Sequence, residues 1–142
     1  MAHMERSVVS LRIIGDSLVP DNISELLGSP PTHAPINGEI LIGKKTGIKR
    51  VAKFGMWQMS VADSEPENLD GQIEEILGKL TDNLVVWSKI SEQFEVDFFC
   101  GLFMGGSNEG LSLSPRTLAA LGERGIELGL DIYAPDEETK TV

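Results

Sequence analysis

The stretch from Val96 to Tyr133 constrains the fold more than any other, because it spells a strand, a glycine-rich turn, a capped helix and a second strand in succession. From Val96 to Met104 the side chains alternate: Val96, Phe98, Cys100, Leu102 and Met104 share one face, Asp97, Phe99, Gly101 and Phe103 the other. That pattern predicts a strand buried on one side and partly covered on the other. The run from Gly105 to Gly110 has the residues of a tight turn with positive φ, and a hairpin is favoured over a phosphate-binding loop because the run lacks the lysine and hydroxyl that such a loop needs. Ser114 and Pro115 then open a helix whose Leu118 and Leu121 face inward, and Gly122 or Gly125 ends it. Residues 126–133 alternate again, with Ile126, Leu128, Leu130 and Ile132 opposed to Glu127, Gly129, Asp131 and Tyr133.

The same reading extends upstream. Val9, Leu11 and Ile13 form one face of a strand whose other face carries Val8, Ser10, Arg12 and Ile14. Pro20 starts a short helix with Ile23, Leu26 and Leu27 as its buried stripe, and Gly28 stops it. Residues 39–42 suggest a strand. A glycine- and lysine-bearing segment follows, and then a strand over 54–61 with Trp57, Met59 and Val61 opposed to Met56, Gln58 and Ser60. Ser64 and Glu67 form a capping-box pattern ahead of a long apolar periodicity from Leu69 through Leu84 to Ile90. Gly78 and the run Thr81-Asp82-Asn83 predict a kink or a second helix capped by Thr81 or Asp82. The two short helices share the pattern S-L-x-P-x-x-[IL]-x-x-L, which fits either two related half-domains or two uses of the same helix-start chemistry. Strands and helices in this order predict an α+β two-layer sandwich, with a mainly antiparallel sheet and helices on one face, ferredoxin-like or a variant of it.

A chain of 142 residues fits one domain that buries roughly two-thirds of its unfolded surface, and residues 4–135 are assigned to it. Met1-Ala2-His3 reads as a vector remnant and residues 136–142 as a flexible acidic tail. A single cysteine, Cys100, precludes an internal disulfide, and no signal segment or membrane-spanning run is evident, so a cytoplasmic protein is expected. The formal charge of −10, from 22 acidic and 12 basic side chains, points away from nucleic acid and from anionic membranes. The one basic cluster, Lys44, Lys45, Lys49, Arg50 and Lys53, suits a solvated hairpin edge better than a phosphate contact.

No catalytic constellation emerges. The natural chain has one histidine, His33, in a proline-flanked loop, while Cys100 occupies an apolar strand face, so a cysteine–histidine pair is disfavoured. No cluster has metal-ligand spacing, and no cofactor or metal is expected. The sheet face away from the helices is the better candidate. Alternation places Ser10, Arg12, Gln58, Asp97, Phe99, Phe103, Glu127, Asp131 and Tyr133 on it, mixed charges around exposed aromatics, which fits a solvated face or a partner surface.

Several segments together resemble one family: Leu11 to Asp16 with Pro20 and Leu26-Leu27-Gly28, Pro31-Thr32 and the Gly38 loop, Gly55-Met56-Trp57, Gly105 to Asn108 with Leu111 to Pro115, and Leu130 to Tyr133. The chain resembles an uncharacterised bacterial family catalogued as domain of unknown function 4279, over nearly its whole length. The resemblance rests on turn glycines and core residues, and it implies an immunity-protein-like role only by analogy with small acidic proteins beside toxin genes. The expectation is therefore a non-enzymatic protein-binding module, with Arg12, Gln58, Asp97, Phe99, Phe103 and Asp131 meeting a toxin-like protein. Two alternatives remain: a small-molecule binder or enzyme with a pocket between Asp16, Trp57 and Asn108, and a homodimer formed through the same sheet face.

Overall fold

The computed structural model describes residues 3–43 and 46–135. The expected vector remnant at Met1 and Ala2, the tail at 136–142, and Lys44 and Lys45 lie outside the described residues.

In chain order the elements are β1 (Arg6–Gly15), α1 (Pro20–Leu27), β2 (Ile40–Ile42), β3 (Lys49–Val51), β4 (Gly55–Ser60), α2 (Leu69–Leu77), α3 (Leu84–Gln93), β5 (Glu95–Phe103), α4 (Pro115–Arg124) and β6 (Glu127–Tyr133). A four-stranded sheet runs β4-β1-β5-β6, and β2 and β3 pair in a separate two-stranded hairpin. Strand β1 is antiparallel to both β4 and β5, with Arg12 opposite Gln58 on one side and Asp97 on the other. Each helix lies over a strand: α1 on β4, α2 on β1, α3 on β5 and α4 on β6. The result is the two-layer α+β sandwich, in a variant form: an inserted hairpin and tandem helices interrupt a simple β-α-β-β-α-β run.

Alternation fixes which face is buried. Val9, Leu11 and Ile13 of β1, Trp57 and Met59 of β4, and Val96, Phe98, Cys100 and Leu102 of β5 join Ile23, Leu27, Ile73, Ile76, Trp87, Ile90 and Leu121 from the helices in one core. The two tryptophans are wholly buried and still satisfied: Trp57 Nε1 donates to Ser24 Oγ at 3.0 Å, and Trp87 Nε1 to the Thr81 carbonyl at 2.8 Å.

Local signals and tertiary context disagree in several places. The predicted hairpin after β5 is absent, because β6 pairs parallel to β5 and the chain must cross over through α4. Neither Gly105 nor Gly106 takes a positive φ, and the Gly105 N–H already donates to Glu109 Oε1 at 2.6 Å, where a phosphate oxygen would otherwise sit. The capping box at Ser64 and Glu67 does not form. Ser64 instead exchanges backbone bonds with Ser7 at 3.0 Å each, which holds the chain extended, so α2 starts under the Asn68 cap. The long periodicity splits into two helices as the breakers predict, but Asn83 rather than Thr81 or Asp82 caps α3, accepting from Val85 N at 3.0 Å. Leu26, Leu84 and Leu118, expected inside, are 43%, 43% and 52% exposed, since each lies just off its helix's inward stripe. Leu130 and Ile132 are also exposed, because β6 is a sheet edge that α4 only partly covers.

The shared helix-start pattern is not a structural repeat. Both helices carry proline in their first turn, but Ser114 caps α4 while Val19 makes no side-chain cap for α1. The flanking strands are antiparallel in one case and parallel in the other.

α4 is tied to α2 at its start, where Ser114 N donates to Asp70 Oδ1 at 2.9 Å. Burial opposes ionisation of Asp70, but hydrogen bonds from the Ser114 backbone and the Thr117 and Ser114 hydroxyls outweigh it and lower the carboxyl below its ordinary 3.8. A depressed acid stabilises above its unfolded value and loses that contribution as pH falls through the folded one. Asp70→Asn is therefore expected to lose about 0.5 kcal/mol at neutral pH, the group being largely solvated. Urea titrations of both proteins should converge once the pH is well below 3.8.

Candidate functional site

The sheet face away from the helices is built by the outward half of each strand's alternation. Opposing residues fall into rungs. Gln58, Arg12, Asp97 and Glu127 form one, Ser60, Ser10, Phe99 and Gly129 the next, and Arg6, Phe103 and Tyr133 lie at the far end. Phe99 is 40% and Tyr133 44% exposed, so large aromatic surface meets solvent here.

The polar groups are held by one another. Arg12 grips Asp97 with two parallel bonds, Nε to Oδ1 at 2.9 Å and the terminal nitrogen to Oδ2 at 2.8 Å. Its guanidinium lies 4.6 Å from the centre of the Phe99 ring. The hydrogen bond to Asp97 raises the Arg12 pKa further, so the charge is permanent. One strand end carries a stack: Arg6 sits 4.0 Å from the centre of Phe103, whose ring lies 4.7 Å from that of Tyr133 at an interplanar angle of 10°. The Tyr133 hydroxyl donates to Asp131 Oδ2 at 2.6 Å, and that bond raises the phenol's pKa. Gln58 Nε2 donates to Ser10 Oγ at 3.1 Å, and Ser10 shares a 2.8 Å bond with Ser60.

Arg12, Gln58, Asp97, Phe99, Phe103 and Asp131 thus all lie on this face, as alternation predicts. They do not form one cluster. Arg12 and Asp131 are separated by two strands and two rungs, about 16 Å from strand geometry, and each has its own partner. Arg6 was missed because the strand was started at Val8, although its parity with Arg12 is the available signal.

Asp16, Trp57 and Asn108 are not brought together. Asp16 follows β1 at the end where Ile14 opposes Glu95, whereas Asn108 follows the other end of β5, a nine-residue strand about 27 Å long. Trp57 lies wholly buried on the opposite face beneath α1. The depression of about 430 Å³ beside Asp16 is lined by Ile14, Phe54, Glu92, Phe94 and Glu95, and by neither Trp57 nor Asn108.

Cys100 and His33 are also apart. Burial, and secondarily the Asp97 charge, push the Cys100 thiol up to about 12, so it stays protonated. His33 belongs to the loop outside β4, where its backbone pairs with Gln58. Among the described residues no group of three or more His, Cys, Asp or Glu side chains is placed to hold a metal ion. Among them, too, no helix is long and apolar enough to cross a membrane.

The chain matches the family described as domain of unknown function (DUF4279) over residues 4–135. It belongs to that family. Neither a curated protein nor a solved structure matches it. In this DUF4279 protein the residues that carried the resemblance are structural: Gly28 takes φ 83° to end α1, and a Cβ on Gly55 would meet the Leu18 carbonyl oxygen at 2.7 Å.

Proposed function

We propose that this DUF4279 protein is a non-enzymatic binding module that docks a basic protein on the open face of its sheet, in the manner of an immunity protein meeting a toxin. The observation that carries this reading is the exposed pairing of aromatic rings with arginines on an open face whose polar groups are already fixed. Tyrosine, phenylalanine and arginine are the side chains that anchor interfaces. Held in place beforehand, they lose little rotamer freedom on binding.

Charge selects the partner class. Arg12 is offset by Asp97 and Arg6 by Asp63 at 3.5 Å, and among the described residues Glu95 and Glu127 have no basic partner within salt-bridge distance. With a whole-chain charge of −10, a cationic surface is attracted and an acidic one repelled.

The test is affinity capture from native lysate with wild type, Phe99→Ala, Tyr133→Ala and, as a control on the outer side of α3, Lys89→Ser. A basic protein retained by wild type and Lys89→Ser, weakened about thirtyfold by each aromatic truncation and released by salt supports the reading. Equal recovery by all four proteins refutes it.

A further inference from the structure

The two edges of the sheet are treated differently. Outside β4, the loop around His33 occupies the edge: Thr32 N and His33 N donate to the Gln58 carbonyl, Gln58 N donates to His33 O, and Met56 N donates to Pro35 O at 2.8 Å. On the outer side of β6 no described segment forms a hydrogen bond. Bare edges are usually blunted by charged side chains, above all lysine, by proline, a bulge or extreme shortness. Strand β6, ELGLDIY over seven residues, has no lysine or proline, and its two charges, Glu127 and Asp131, both lie on the open face. It adds apolar surface instead: Leu130 is 45% and Ile132 52% exposed beside it, and Leu118 of the overlying α4 is 52% exposed.

The side-chain order along β6 suits a second copy of itself. In an antiparallel β6–β6 pair centred on Leu130, that residue faces its own twin, Leu128 faces Ile132, Gly129 faces Asp131 and Glu127 faces Tyr133. Every apolar residue then meets an apolar one on the helix side, and no carboxylate opposes another. A shift of two residues one way sets Glu127 against Asp131; the other way sets Asp131 against itself. A shift by one residue puts leucines against the polar row. Among registers that pair at least five residues of β6, this one alone is free of conflict.

We infer that β6 is a homodimerisation edge: two copies join antiparallel through β6 about a twofold axis at Leu130, making one continuous eight-stranded sheet, twice the four strands of each copy. The twofold axis stands perpendicular to the sheet, so both helical layers lie on one side and the two Leu118 residues border the seam. Both open faces then merge into one surface, so this dimer neither requires the protein-docking reading nor conflicts with it.

The experiment combines mass and register. Sedimentation velocity at ~100 μM chain, a concentration suited to an interface of modest area, is expected to give twice the 15.4 kDa chain mass, and Leu130→Lys, which sets lysine against lysine, is expected to return it to one. Directly opposed residues in such a pair have Cα atoms about 4.5–5.5 Å apart, within disulfide reach. Leu130→Cys should therefore cross-link to itself under mild oxidation, whereas Leu128→Cys and Ile132→Cys should cross-link only when mixed. Leu130 and Ile132 are exposed and Leu128 packs only partly against the core, so a cysteine at each is tolerated, and the resident Cys100 is buried. A single-chain mass throughout, or Leu128→Cys cross-linking alone as fast as Leu130→Cys, overturns the proposal.

Discussion

Replacing Trp57 with alanine is expected to lower the unfolding free energy by about 4 kcal/mol, the range for truncating a fully buried large aromatic. The indole is wholly excluded from solvent on β4 beneath α1, and it joins the central strand's Leu11 and Ile13 to Ile23 and Leu27 of the first helix. Truncation removes the transfer energy of the ring and leaves a void that the close-packed surroundings fill only partly. It also removes the donor to Ser24 Oγ. A domain of this size holds only about 5–15 kcal/mol in total, so the variant would sit near the edge of folding. Trp57→Phe separates the two contributions. It keeps most of the apolar volume, and about 1–2 kcal/mol is expected from the smaller ring and lost hydrogen bond. Urea unfolding followed by far-ultraviolet circular dichroism measures both, with Lys89→Ala as an exposed control expected to change little. An unchanged midpoint for Trp57→Ala would mean that α1 does not cover β4.

The second large effect concerns a polar network inside the core. Gln72 of α2 is 3% exposed and Ser7 of β1 is fully buried. Gln72 Nε2 donates to the Ser7 carbonyl at 3.1 Å and to the Ala62 carbonyl at 3.0 Å, while its Oε1 accepts from Ser7 Oγ at 2.5 Å. Ser7 Oγ in turn accepts from Asn68 N at 3.0 Å, at the cap of the same helix. One side chain therefore joins the first strand, the chain leaving β4 and the start of α2. Gln72→Ala leaves the buried Ser7 hydroxyl without an acceptor and removes one of the two donors to the Ser7 carbonyl, which keeps Ser64 N at 3.0 Å, and a loss of about 2 kcal/mol is expected. Gln72→Glu is near-isosteric, yet at neutral pH it sets a carboxylate against two carbonyl oxygens. Burial favours the protonated acid, so this variant should regain stability as pH falls, opposite in sign to the Asp70 effect. Denaturation of both variants at neutral and acidic pH checks the prediction. A Gln72→Ala protein as stable as wild type would show that the Ser7 hydroxyl finds another acceptor.

Much of the candidate site was legible from alternation alone, because period two assigns a side chain to a face wherever a strand has one apolar side. Arg12, Gln58, Asp97, Phe99, Phe103 and Asp131 were placed together on that basis and do share the open face. What alternation cannot supply is distance across strands: the Arg12–Asp97 fork and the Arg6–Phe103–Tyr133 stack depend on which strands are neighbours and in which register. The Ser7–Gln72 network left no signal, since a serine in a strand and a glutamine in a helix are ordinary surface residues until packing encloses them.

By itself the amino-acid order determined the local elements: strands from alternation, helix starts from Pro20 and the Ser114 cap, and helix ends from Gly28 and Gly125, whose φ values of 83° and 69° suit glycine. Only the tertiary structure decided that β6 runs parallel to β5, that the Ser64 capping box yields to Asn68, and that Leu118, Leu130 and Ile132 remain outside. The physical reason is range. Caps and alternation act within a few residues, whereas strand order, burial at an edge and the satisfaction of a buried amide depend on what the rest of the chain places alongside.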